Sequence, residues 1–403
     1  MRIIFAVLCL LLMLQPACNN VELGTDEGAE SLTTGLYQQD GKLYRNGQLY
    51  HGMGVNYFSL FQRVLKDNSD TSYKRHLAEL SQAGIPFVRF MACGFWPVDW
   101  DLYFQNKELY FALLDDIVRC AEENNIGLIP SLFWHMSTYP DLMGEPMDQM
   151  GNPESKTSAF IRSYTAEVVG RYKNSPAIWA WECGNEFNLA VDLPNAAEHR
   201  PPVWPTLKTA ASRSERDEFT AAIMLTAFQT FADAVRGVDP HRLLITGNSI
   251  PRPHAWHNSH ERSWKTDTVE QFAEILDRDN PDPYSALSVH VYPRENNKYS
   301  GACTNLTDLI KLLKKTSEDI GKPLFIGEFG APQTLSPDQE KRLFAELIDA
   351  IVAHEIPLSA MWVYNLPMQD KDWNVTFENR RAYMLHAVSE ANRRLKPSAT
   401  NSF

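Results

Sequence analysis

The sequence predicts a single α/β domain closed as a (β/α)8 TIM barrel, with long loops at its C-terminal face. Three observations predict it. Eight short apolar runs, rich in β-branched and aromatic residues, recur along the chain. Each leads into a segment with the 3.6-residue spacing of an amphipathic helix. The first run ends in Gly54-Val55-Asn56-Tyr57, without the glycine-rich phosphate turn that opens a doubly wound sheet. The runs are almost continuously apolar, as strands covered on both faces must be.

The elements follow in order. Residues 1–18 read as a signal peptide: Arg2, then an apolar stretch from Ile3 to Leu14, too short to span a bilayer, then a break at Gln15-Pro16. Ala17-Cys18 resembles the end of a lipoprotein-type signal, with Cys18 as the lipid anchor; free secretion is the alternative. Either way the chain is expected to be exported, as a cell-surface or periplasmic lipoprotein or as a secreted protein. Residues 19–38 are polar and acidic and read as a solvated linker. The barrel domain is expected over 39–398. Strands are predicted at 49–56, 86–91, 127–133, 178–183, 243–247, 286–291, 324–327 and 358–364. Helices are predicted at 73–82, 108–124, 159–172, 215–235, 269–277, 306–317, 338–354 and 380–392. In the second, Leu113, Leu114, Ile117 and Val118 form the buried face opposite Asp115, Asp116, Glu122 and Glu123. The seventh starts after Ser336, with Pro337 just inside.

Composition narrows the function. At 403 residues, 44% hydrophobic and 22% charged, the chain is long and apolar enough for a large core. The 38 basic against 50 acidic residues give a net charge of −12, which argues against nucleic acid as partner. Cys93, Cys120, Cys183 and Cys303 form no CxxC pair and are expected as free thiols. His254, His257 and His260, three apart in a loop, match no zinc spacing, so neither metal nor other cofactor is expected. A monomer is expected.

Barrel active sites gather at the carboxyl ends of the strands. The polar residues falling there are Asn56, Tyr57, Arg89, Trp134, His135, Asn185, Glu186, Asn248, His290, Tyr292, Glu328 and Trp362. Only Glu186 and Glu328 are large carboxylates at strand ends with an apolar approach. Glu182 lies mid-strand and is expected to pair inside the barrel. Two carboxyls of unlike environment facing one cavity are the minimum for cleaving a glycosidic bond. Arg89 favours the ionised form of whichever carboxylate it touches, Tyr292 adds a hydrogen bond, and Trp362 supplies a floor for a sugar ring. The 10 Trp, 15 Tyr and 20 Phe suit flat, apolar-faced ligands; Trp96, Trp100, Trp204, Trp256, Trp264 and Trp373 all fall in loops of the catalytic side.

These residues resemble a known family. Trp-Glu-Cys-Gly-Asn185-Glu186 is similar to the Asn-Glu signature of clan A glycoside hydrolases, and Ile-Gly-Glu328-Phe-Gly to their nucleophile strand. With Val-Arg89-Phe, His290-Val-Tyr292-Pro and Trp362-Val-Tyr, the chain resembles glycoside hydrolase family 5, the cellulase and mannanase family. The resemblance implies a retaining hydrolase of β-linked polysaccharide or oligosaccharide, a β-mannan or β-glucan, with Glu186 as acid/base and Glu328 as nucleophile. It implies Arg89, Asn185, His290, Tyr292 and Trp362 around the bound sugar; strand-end position adds Trp134, His135 and Asn56 as substrate-binding candidates. The competing reading is a surface glycan-binding lipoprotein that keeps the barrel without turnover.

Overall fold

The computed structural model describes residues 34–294 and 299–395. The chain enters through a small antiparallel sheet of three strands, β1 (Leu36–Gln39), β2 (Lys42–Arg45) and β3 (Gln48–Leu49). Eight parallel strands follow: β4 (Gly52–Asn56), β5 (Phe87–Met91), β6 (Gly127–Phe133), β7 (Ala180–Gly184), β8 (Leu243–Ile245), β9 (Leu287–Val291), β10 (Leu324–Phe329) and β11 (Leu358–Met361). They pair in the order β8-β7-β6-β5-β4-β11-β10-β9. At the remaining seam, between β8 and β9, the Ser285 amide donates to the Leu244 carbonyl at 3.0 Å. The sheet is therefore a nearly closed (β/α)8 barrel.

Twelve helices are described: α1 (Leu60–Lys66), α2 (Ser72–Gln82), α3 (Asp101–Gln105), α4 (Lys107–Glu123), α5 (Thr138–Met143), α6 (Lys156–Tyr172), α7 (Ala221–Arg236), α8 (Ala255–Glu261), α9 (Val269–Arg278), α10 (Leu306–Ile320), α11 (Pro337–Ala353) and α12 (Ala382–Leu395). The eight predicted helices are α2, α4, α6, α7, α9, α10, α11 and α12. Side-chain caps fix the starts of six of them: Asn106, Ser155, Thr220, Thr268, Asn305 and Ser336 each accept from an amide in the first turn. The short helices α1, α3, α5 and α8 are additions inside loops, too brief to show a period. No described helix is long and apolar enough to cross a membrane.

The entry sheet corrects two sequence expectations. The stretch 19–38 does not end as a solvated linker: residues 36–38 belong to β1, and Leu36 is buried. Leu49, assigned to the first barrel strand, instead ends the small sheet and is exposed. The physical reason is the open bottom of the barrel. Leu36 and Leu43 close it, packing on an inner layer that includes Phe87, Ile129, Ala180, Ile245 and Phe325. Residues 1–33, which carry the signal and Cys18 assignments, lie outside the described residues, as do 396–398 at the expected end of the domain.

The barrel interior is apolar below and charged above. Two residues beyond Phe87, Ile129 and Ala180, the same inward positions hold Arg89, Ser131 and Glu182. The apolar outer faces of the strands pack against the helices in a second, larger core. Trp179 and Trp181 do not share a face as their spacing suggests. Trp179 precedes β7 and belongs to the bottom layer, while Trp181 faces outward and donates its Nε1 to Asp239 at 2.8 Å.

Candidate active site

Glu186 and Glu328 reach one cavity from different arcs of the ring. Glu186 follows β7 with φ of +56°, a left-handed conformation that a non-glycine residue adopts only at a cost of about 1–3 kcal/mol. Its amide donates to the Gly247 carbonyl at 2.9 Å. Gly247 allows that approach: its φ is +79°, and a Cβ there would lie 1.9 Å from the Gly184 carbonyl. Glu328 is aimed by another device. Phe325 faces inward, so strict alternation would send residue 328 outward. The register of β10 against β9 shifts between Ile326 and Glu328, and this irregularity turns the carboxylate into the barrel.

The two carboxylates occupy unlike surroundings. Glu328 is 4% exposed, accepts from Arg89 Nη1 at 2.9 Å on Oε1 and from the Tyr292 hydroxyl at 2.7 Å on Oε2. Burial pushes its pKa up; His290, Arg89 and Tyr292 pull it down, Glu186 adds to the rise, and the net direction is upward. The Glu186 side chain is about one-third exposed, and its Oε1 accepts from His290 Nδ1 at 2.9 Å. Burial raises its pKa too, but His290, Ser249 and Arg89 outweigh it and leave the group below the ordinary carboxylate range. Oxygens of the two groups lie within 4.8 Å of each other. That bound lies on the short side of the two carboxyl spacings found in glycoside hydrolases, about 5–5.5 Å and about 6.5–9.5 Å.

Arg89 is the hub beneath them. Its Nε reaches both Glu182 oxygens at 2.8 and 2.9 Å, Nη1 donates to Asn56 and Glu328 at 2.9 Å each, and Nη2 to Asn185 at 2.8 Å. Its guanidinium also lies 4.5 Å from the centre of the Trp134 ring. Glu182 is fully buried in this pair, the interior role expected of it. Two expectations are corrected here. Asn56 and Arg89 do not meet a sugar, because both are 0% exposed and their polar atoms are occupied. Asn56 spends its amide on the Gly327, Ala360 and Met361 carbonyls and steadies Arg89. His290 is 1% exposed and works from below, on Glu186.

The remaining predicted residues face the opening. Trp134, Asn185 and Trp362 line a cavity of about 760 Å³ with both carboxylates and Tyr292. Trp362 and Trp134 stack with centroids 6.2 Å apart, and Phe58 packs edge-on to Trp134 at 5.1 Å. Gln369 holds Trp362 by accepting its Nε1 at 3.0 Å, a support that sequence gave no reason to single out. His135 lies to the side, against Phe95 at 4.8 Å, in a lobe of about 320 Å³ that also contains Glu186. Burial and Arg213 lower its pKa to about 4, so it is neutral at pH 7. On the far side of Glu186 a third lobe, of about 720 Å³, holds His290, Tyr292, Arg252 and Trp264 but not Glu328. Of the loop tryptophans, Trp96 and Trp373 line the 760 Å³ cavity, Trp264 lines the far lobe and Trp204 packs on Trp96 at 4.9 Å. Trp100 is buried and Trp256 stacks on His260.

Glu186, His290 and Glu328 bring three donor atoms together, the arrangement a metal ion would need. The chemistry of the set opposes it. Arg89 already places a fixed positive charge on one Glu328 oxygen and Tyr292 occupies the other. The four cysteines are free thiols, three of them buried.

Residues 50–365 match the cellulase family, glycosyl hydrolase family 5. The chain belongs to that family. Its fold is that of mannanase- and cellulase-like glycosyl hydrolases. The endo-1,4-β-mannanase of Rhizomucor miehei superposes with a TM-score of 0.63 at 17% identity, covering 90% of this chain and 99% of that one. Endoglucanase Cel5A of Pseudomonas stutzeri does so with a TM-score of 0.51 at 16% identity, over 85% and 95%. In sequence, mannan endo-1,4-β-mannosidase A of Hypocrea jecorina is 36% identical over 78 residues, 18% of this chain. The match spans about a fifth of the length of such curated relatives (18% of this one).

Proposed function

We propose that this family 5 hydrolase cleaves β-1,4-linked mannan chains internally, with retention of configuration, by double displacement. The observation that carries the reading is the pair of carboxylates within 4.8 Å at the meeting of two open lobes. In the first step a Glu328 oxygen attacks the anomeric carbon, the glycosidic C–O bond breaks, and Glu186 gives its proton to the departing oxygen. In the second, Glu186 takes a proton from water, whose oxygen displaces the ester and restores the Glu328 carboxylate.

The hydrogen bonds support this division of roles. The pKa directions of the unliganded pair run the other way, Glu186 below and Glu328 above the ordinary range, so the mechanism requires bound substrate to raise Glu186 and lower Glu328. Both Glu328 oxygens accept from donors, one permanently charged, which suits a group that must attack as an anion. Glu186 is the more exposed and stands between the lobe shared with Glu328 and the lobe without it, where a leaving group departs. Once Glu328 is esterified its negative charge is gone, which lowers the Glu186 pKa again and readies it as base. Trp362 and Trp134 form the apolar wall for the sugar being cleaved, and Asn185 offers its amide to a neighbouring hydroxyl. Space on both sides of the pair favours internal cleavage over trimming of ends, and the mannanase names of its relatives favour mannan. A purely binding role is disfavoured by the intact carboxylate pair. Action outside the cytoplasm, after export by the 1–18 signal with or without an anchor at Cys18, completes the reading.

The test is a screen of purified protein on mannan, glucomannan, cellulose, xylan and mixed-linkage glucan, with product lengths and anomeric configuration followed by NMR. Mannan and glucomannan should yield a ladder of oligosaccharides whose first-formed ends are β. Inverted products, single-sugar release, or preference for cellulose would each refute the corresponding part.

A further inference from the structure

The far lobe carries a charge that a neutral glycan does not need. Its volume is about 720 Å³, and Glu186 is the single acidic side chain among the described residues lining it, against Arg252 and Arg294. Arg252 lies beside Glu186, lining both this lobe and the smaller one. Its Nε donates to the Leu189 carbonyl at 2.8 Å. Among the described residues its guanidinium forms no ion pair with an acidic side chain. Burial lowers the pKa of both arginines; Arg252 is near enough to lower that of Arg294 further, and Glu186 offsets part of the fall at Arg252. Glu186 answers one of the two positive charges, and the second is costly in a half-buried cavity unless a further anion joins it. Two further features suit a sugar. His254 Nδ1 is buried without a hydrogen-bond partner, and the Trp264 ring, about half exposed, stands edge-to-face against that imidazole at 5.7 Å.

We infer that the lobe on the leaving-group side of Glu186 takes an anionic sugar unit, one carrying a carboxylate, with Arg252 as the principal contact and Arg294, His254 and Trp264 around it. The preferred substrate is then an acid-substituted β-glycan cleaved next to its charged unit. This rests on the assignment of Glu186 as acid, since that assignment makes the lobe the leaving-group side.

The probes are two forms of one oligosaccharide: β-1,4-mannotetraose oxidised at its reducing end to the aldonate, and the same tetraose reduced to the neutral alditol. The corresponding cellotetraose pair is run in parallel. Affinities are measured by calorimetry on the full chain carrying Glu328→Gln, at 20 and 500 mM salt. The aldonate should bind about tenfold more tightly at low salt, and the advantage should shrink at high salt. Arg252→Met should abolish the advantage and Arg252→Lys should restore part of it, which a merely structural role at Leu189 would not do. Arg294→Met gives a second reading if the Arg252 variants fail to fold. Equal binding of both forms, a preference untouched by either arginine, or no binding of any probe overturns the inference. Hydrolysis of the neutral tetraoses by the unmodified protein is scored separately. Its absence would count against the catalytic reading, whatever the charge preference.

Discussion

Arg89 Nη1 donates to Glu328 Oε1 at 2.9 Å from a position with no solvent exposure, so the reacting carboxylate is held from beneath by a charge that water cannot screen. The same guanidinium neutralises Glu182 through Nε. One cation thus serves two buried anions, and removing it strands both.

Arg89→Met should therefore cost about 3–5 kcal/mol of stability, because it leaves an uncompensated buried charge. Chemical denaturation measures it. Adding Glu182→Gln should recover part of the stability but not activity, since Glu328 would still lack its partner.

Glu186→Ala should lower kcat about 100- to 10,000-fold on oligosaccharides, whose leaving oxygen needs a proton. Aryl glycosides with an activated phenol should lose far less in the first step. The kcat/KM values on both substrates, which report the first step alone, check this, and equal loss of kcat/KM on both would contradict the role given to Glu186.

Tyr292→Phe removes a hydrogen bond that lowers the Glu328 pKa. With Glu328 required as an anion, the acidic limb of the kcat/KM profile should move to higher pH, and activity at neutral pH should fall more than at alkaline pH. The limbs report the carboxylate pair as a unit.

Leu43→Ala opens the plug at the bottom of the barrel, on the end opposite the carboxylates, and should cost about 2–5 kcal/mol. Below the melting transition kcat should be unchanged. A thermal melt paired with rate measurements separates the two effects.

The barrel and its two glutamates were legible because each strand pattern ends where a polar residue breaks an apolar run, and because position on a strand implies position at the mouth. Burial depth was not. Asn56, Arg89 and Trp134 stand at equivalent strand ends in the sequence, yet the first two lie below the carboxylates and the third beside the cleft. That difference comes from the polar layer inside the barrel, where Asn56, Arg89, Ser131, Glu182, His290 and Glu328 come from six strands that no local pattern connects. Glu328 faces inward only through an irregular register that alternation cannot foresee. The entry sheet escaped notice because four-residue strands in a polar stretch carry one buried side chain each, Leu36 and Leu43.

The most direct measurement is covalent trapping. The protein is incubated with a 2-deoxy-2-fluoro mannosyl or glucosyl donor bearing an activated leaving group, digested, and mapped by mass spectrometry. The assignment predicts one glycosyl ester, on Glu328, formed faster than it is hydrolysed. An ester on Glu186, or turnover with no covalent intermediate and inverted product, would contradict it.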